Sequence, residues 1–127
     1  MKFYPLTDET AEKAELVSEY NDAREIGAVR LGQLRLYMRL RRRIFYIPYH
    51  DIRRCFRRVQ LVHARMCCGN GGLEIENLVV CGEKGELIQI QLPGTRAAKS
   101  LMEELERLVP EAEFGVPPKA EAPAESK

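Results

Sequence analysis

The sequence predicts a mainly β domain with some helix. It is an antiparallel, partly open barrel of about seven strands, capped by a C-terminal amphipathic helix and preceded by a short N-terminal one. Three observations predict it. Apolar and polar residues alternate along much of the stretch from Arg24 to Leu92, the period of half-buried strands. Turn chemistry, in PYHD, CGNGG and GEKG, divides that stretch at short intervals. The last patterned segment, RAAKSLMEELERLV, changes to helical spacing.

Residues 8–22, DETAEKAELVSEYND, read as a short, mostly solvated helix. Thr7 or Asp8 is placed to cap it, and acids crowd its first turn, where they suit the helix dipole. Its apolar stripe is thin: Ala11, Ala14, Val17 and Tyr20. In QLRLYMRLR, Leu34, Leu36, Met38 and Leu40 fall on one face of a strand. Arg35, Tyr37, Arg39 and Arg41 fall on the other; a helix would spread those arginines around its circumference, core side included. Arg42 and Arg43 interrupt the alternation, and IFYI resumes it with β-branched and aromatic residues. Pro48 has no N–H for a ladder, so the strand ends there or lies on an edge, and PYHD is a turn.

The segment DIRRCFRRVQLVHARM carries two patterns. Ile52, Cys55, Phe56, Val59, Val62 and Met66 recur at helical spacing, with Asp51 available as a cap. Its β-branched and aromatic content, and its place between two β stretches, favour a strand with a bulge. Helix stays open as the alternative. CGNGG at 68–72 supplies the positive φ values of a tight hairpin. LEIENLVVC follows as a strand, GEKG at 82–85 makes a second hairpin turn, and ELIQIQL points Ile88, Ile90 and Leu92 inward.

Thr95 is then expected to cap the closing helix, whose stripe is Ala98, Leu101, Met102, Leu105, Leu108 and Val109. Lys99–Glu103 and Glu103–Arg107 are spaced as ion pairs on its wet side, and Pro110 ends it. Phe114 is a last anchor, and the tail GVPPKAEAPAESK has nothing to bury and reads as disordered. The expected organisation is therefore a helical extension at 1–23, one domain at 24–114 and a tail at 115–127.

Composition excludes several classes. A chain of 127 residues buries over roughly 60% of its unfolded surface on folding, enough to need no metal or disulfide. No apolar run is long enough for a transmembrane helix, and the N-terminus turns acidic too early for a signal peptide, so a cytoplasmic location is expected. Cys55, Cys67, Cys68 and Cys81 form no C-x-x-C pair and are expected to be reduced. His63, Cys67 and Cys81 match no common zinc spacing, so neither a metal nor any other cofactor is expected. There is no G-x-S-x-G, phosphate loop or H-E-x-x-H, and His50 sits beside Asp51 in an exposed turn. The chain is accordingly expected not to be an enzyme, with no small-molecule substrate.

Charge is the feature that raises a function. The net charge of +1 conceals twelve Lys/Arg against two acids between Arg24 and Arg65, with seventeen acids among the remaining residues. Two arginine groups are candidate anion- or partner-binding residues: the corner Arg41, Arg42 and Arg43, and the face Arg53, Arg54, Arg57 and Arg58. A solvent-facing ladder of Arg35, Arg39, Arg53 and Arg57 is expected between them. The plain alternative is a solvated strand face paired with Glu74, Glu76, Glu83 and Glu86, each pair worth up to about 1 kcal/mol.

The segments GQLRLYMR, FYIPYHDIRRCFRRV, LVVCGEKGELIQIQL and LMEELERLVPEAEFG together resemble a bacterial pleckstrin-homology-like (PH-like) family of uncharacterised role. The resemblance covers roughly residues 24–115 and implies the capped barrel. Lipid-binding eukaryotic members carry a tryptophan in the closing helix; this chain has no Trp, and Leu101 or Leu105 would take its place. Their headgroup site also uses a basic loop after the first strand, whereas here Arg41, Arg42 and Arg43 sit in a tight connection and several other arginines lie on strand faces, so phosphoinositide binding does not transfer. The expected function is a non-catalytic binding or adaptor module for another protein or a second copy of the chain. The alternative is nucleic-acid or anionic-membrane binding through the arginines. The sequence pI of about 7.7 weighs against it, being below the roughly 9 of a dedicated nucleic-acid binder.

Overall fold

A computed structural model describes residues 2–8, 11–63 and 72–115. Along the chain these form β1 (Phe3–Pro5), α1 (Lys13–Asp22), β2 (Arg24–Ile26), β3 (Val29–Leu31), β4 (Arg35–Leu40) and β5 (Arg43–Pro48). A 3-10 turn (Tyr49–Asp51) leads to β6 (Arg54–His63), β7 (Gly72–Gly82), β8 (Gly85–Gln91), α2 (Thr95–Leu108) and β9 (Glu113–Phe114). The mainly β expectation holds in this form: two mixed sheets and two helices. The first sheet has order β1-β5-β4-β3-β2, and the second β8-β7-β6-β9. Among the described residues no ladder joins the two, so the expected barrel is not closed.

Each sheet is mixed because one short strand joins it in parallel, β1 beside β5 and β9 beside β6. The ambiguous segment after Pro48 is a strand: Arg54 to His63 pair residue by residue with Cys81 to Gly72. The bulge lies in its partner ladder, between Val80 and Cys81 against β8. The predicted turn at 82–85 is present, with Gly82 paired to Gly85 and Gly85 at a φ of 123°. The predicted CGNGG hairpin and the tail from 116 onward lie outside the described residues, as do Cys67 and Cys68.

One core fills the space between the sheets. Val29, Leu36, Met38 and Ile47 from the first meet Cys55, Leu78, Val80, Ile88 and Ile90 from the second. The inner face of α2 closes this core with Ala98, Leu101 and Leu105, followed by Val109, as its stripe predicts; Met102 and Leu108 are partly buried beside them. Thr95 is not the cap, however. It is the first helical residue after Gly94, and its hydroxyl donates to Glu76 Oε2 at 2.9 Å. On the wet side, the ion pairs found are Glu104 with Arg24 and with Arg107.

The N-terminal residues are built into the fold. The helix α1 begins at Lys13, without the predicted Thr7 or Asp8 cap; the Thr7 hydroxyl instead donates to Asp51 at 2.7 Å. The helix buries Leu16 and Tyr20, while Ala14 stays exposed. Those two side chains pack on Tyr37, Ile44 and Tyr46, the outer face of the first sheet, with Phe3 from β1. Phe3, Tyr20 and Tyr37 meet edge-on with ring centroids 5.4–5.9 Å apart, the geometry that ring quadrupoles favour.

Candidate functional site

The covering helix changes the fate of the predicted arginine ladder. Leu36 and Met38 face the core as expected, but the opposite face of β4 lies under α1, so Tyr37 is fully buried and Arg35 is 4% exposed. Leu34 and Leu40, predicted inward, are exposed at the strand ends. Arg35 is therefore not a solvent-facing residue. Its guanidinium donates to Glu19 Oε1 at 2.6 Å and to Glu15 Oε2 at 2.8 Å.

Glu19 gathers four donors. Its carboxylate accepts from Arg35, from the Tyr37 hydroxyl at 2.6 Å, and from the Leu34 and Arg35 backbone N–H groups at 2.5 and 3.1 Å. Burial raises the pKa of this group, yet the hydrogen bonds from Tyr37, Leu34 and Arg35 outweigh it and leave the carboxyl below its ordinary range. Burial and the Glu19 charge together push the Tyr37 phenol well up. A carboxylate with four donors has its acceptor capacity taken up, so Glu19 acts as a pin between α1 and β4. Sequence reasoning missed it, because its partners lie 15 to 18 residues away. The glycine before them is a signal that could have found it: a Cβ on Gly32 would meet Glu19 Cγ and the Arg35 carbonyl at 2.8 Å.

The face arginines come together on the second sheet. Arg53, Arg54, Arg57 and Arg58 line one cleft of about 780 Å³ on sheet β8-β7-β6-β9, with Glu83, Glu86, Glu111 and Glu113 around them. Phe56, Val79 and Cys81 form a separate small apolar cluster, and Phe56 and Cys81 also line this cleft. The arginines are engaged by carboxylates. Arg54 pairs with Glu113 and donates to the Gly115 carbonyl at 3.0 Å. Arg58 reaches Glu86 at 3.1 Å and Gln89 at 2.7 Å. Arg57 grips Glu76 with two bonds of 3.0 and 2.8 Å, and that grip, despite the carboxylate's burial, holds the Glu76 carboxyl below its ordinary range. Arg53 donates to the His50 carbonyl at 2.9 Å. Two of the four predicted glutamate partners, Glu76 and Glu86, are thus in place. With four arginines and four glutamates along it, the cleft carries no net formal charge.

The corner residues stand apart from this cleft. Arg41 and Arg42 form the two-residue turn between β4 and β5, closed by the Leu40–Arg43 pair. Arg41 holds a φ of 61°, a left-handed conformation that ordinarily selects glycine. Neither Arg41 nor Arg42 has a carboxylate partner among the described residues, and the Arg43 guanidinium lies 5.4 Å from the Tyr4 ring centre. The two predicted groups are therefore electrostatically different: one neutralised, one not.

Of the cysteines, Cys55 lies in the main core, where burial and the nearby Cys81 push its thiol up to about 12. Burial raises Cys81 as well. Among the described residues no cluster of three metal-ligating side chains occurs, and no helix is long and apolar enough to cross a membrane. Comparison of the chain with family models, with curated proteins and with solved structures gives no match.

Proposed function

We propose that the protein is a non-catalytic binding module of PH-like type that takes another polypeptide along the cleft of its four-stranded sheet. The observation that carries this reading is the composition of that cleft: apolar groups, including Phe56 and Cys81, among balanced arginine and glutamate side chains. An apolar centre with a polar rim is the anatomy of protein interfaces, and a neutral one does not select polyanions. Support for the PH-like type is the order of the antiparallel strands from Arg24 to Gln91 followed by α2 on the core. The test is affinity capture with Arg54→Ala/Arg58→Ala. Recovery of the partner held by the wild-type chain should fall at least several-fold, and equal recovery contradicts the reading. Arg57 is a poor probe, because removing it strands the buried Glu76.

A second reading is favoured by the turn at Arg41 and Arg42: an anionic ligand, nucleic acid or a lipid surface, bound at the β4–β5 tip with Arg43. Arginines without carboxylate partners keep their charge available to phosphate. Titration of single-stranded DNA and of anionic vesicles, each at two salt concentrations, tests it. Salt-sensitive binding that Arg41→Ala/Arg42→Ala removes supports it, and no salt-sensitive binding to either probe defeats it.

A further inference from the structure

Beyond the cleft, we infer that the free edge of β6 pairs with the same edge of a second copy of the chain, antiparallel and centred on Gln60. Three observations lead there. First, among the described residues β9 covers only the beginning of this edge, pairing with Arg54 and Cys55, and the β8 side reaches along β7 no further than Glu76, whose carbonyl accepts from Leu92 N–H at 2.8 Å. Gln60 and Leu61 and their partners on β7 consequently form a two-stranded arm among the described residues. An isolated two-stranded ribbon is marginal without a third strand.

Second, the polar groups on that edge can be assigned. The Arg53 and Cys55 carbonyls accept from Glu113 and Gly115 N–H on the β9 side. Backbone groups alternate along a strand, so Arg57, Val59 and Leu61 present their N–H and C=O to the same side. Among the described residues nothing extends this ladder beyond Gly115. The donors come from residues 113 and 115, and the next in step, Pro117, has no N–H.

Third, the edge is apolar and self-complementary. Val59 is 48% and Leu61 62% exposed, and residues 59–61 contain no Lys, no Pro and no charge, the devices that keep edges from pairing. An antiparallel pair centred on Gln60 sets each Val59 opposite the partner copy's Leu61. That arrangement makes four backbone hydrogen bonds and two apolar cross-strand contacts, with the two Gln60 residues facing each other at a non-hydrogen-bonded position. Centring on Val59 instead would set Leu61 against Arg57. Because so short a strand pair buries less than the roughly 1,200 Å² of a stable interface, the dimer is weak and concentration-dependent.

Sedimentation over a wide concentration range, combined with oxidative cross-linking, tests the inference. The mass should rise from monomer toward dimer, and Leu61→Lys should abolish that rise while leaving the melting temperature of the dilute protein unchanged. With Cys67 and Cys68 replaced by serine, Gln60→Cys should cross-link to dimer at least ten-fold faster than Leu61→Cys, whose two thiols would sit beyond disulfide reach. A chain that stays monomeric at every concentration, or Leu61→Cys cross-linking as fast as Gln60→Cys, overturns it. Neither result bears on the cleft, whose lining includes neither Gln60 nor Leu61.

Discussion

Glu19 joins α1 to β4 through one carboxylate, and its removal takes from the buried Arg35 a carboxylate that is itself largely buried, whereas Glu15 is half-exposed. Breaking such a pair costs about 3–5 kcal/mol, so Glu19→Ala should lower unfolding stability by that amount in urea titration, and Glu19→Gln by less. Because folding lowers the Glu19 pKa, its contribution is complete above pH about 4.5 and is lost as pH falls through the folded value. Acid titration of stability should therefore be shallower in Glu19→Gln. At Arg41, the left-handed φ predicts the opposite sign: Arg41→Gly should stabilise the chain by about 1 kcal/mol in the same assay. For Cys55, a thiol pushed up to about 12 and fully buried should resist alkylation at neutral pH until the protein unfolds. Labelling of Cys55 at the rate of a free thiol would contradict its placement in the core. Among these residues the burial of Cys55 and the mismatch of Arg41 with a tight turn are legible in the sequence, and the Glu19 pin is not. Period two places Arg35 on the face away from the core, but it does not say that α1 covers that face.

At the scale of elements, legibility followed the length of the pattern. The stripe of α2 spans the whole helix, and its buried residues were identified one by one; Leu101, fully buried, should cost about 2–5 kcal/mol when cut to alanine. In β6 the pattern was ambiguous for a physical reason: Cys55 is buried in the main core while Phe56, its neighbour, is buried in a second cluster. Adjacent buried residues break strict alternation and imitate helical spacing. Strand wins because β7 pairs along its whole length. The start of α1 was misplaced because Thr7 spends its hydroxyl on Asp51, 44 residues away. Both β1 and β9, at three and two residues, are too short to carry any period.

For the whole molecule, the charge asymmetry of the sequence resolves into contact between its basic middle and acidic flanks. Arg24 meets Glu104, Arg54 meets Glu113, Arg57 meets Glu76 and Arg58 meets Glu86. That bland outcome was legible; the division into two sheets was not, since no side-chain period reports whether neighbouring strands share a ladder. What the pairing leaves over is small: the β4–β5 tip, the neutral cleft and the edge of β6. Amide hydrogen exchange by NMR along β6 tests this arrangement most directly. In dilute protein Arg57, Val59 and Leu61 should exchange quickly while Arg58 and Gln60, bonded to β7, are protected. Raising the concentration should then slow Val59 and Leu61. Uniform protection of residues 57–61 in dilute protein, or uniformly fast exchange, would contradict an open edge strand at this position.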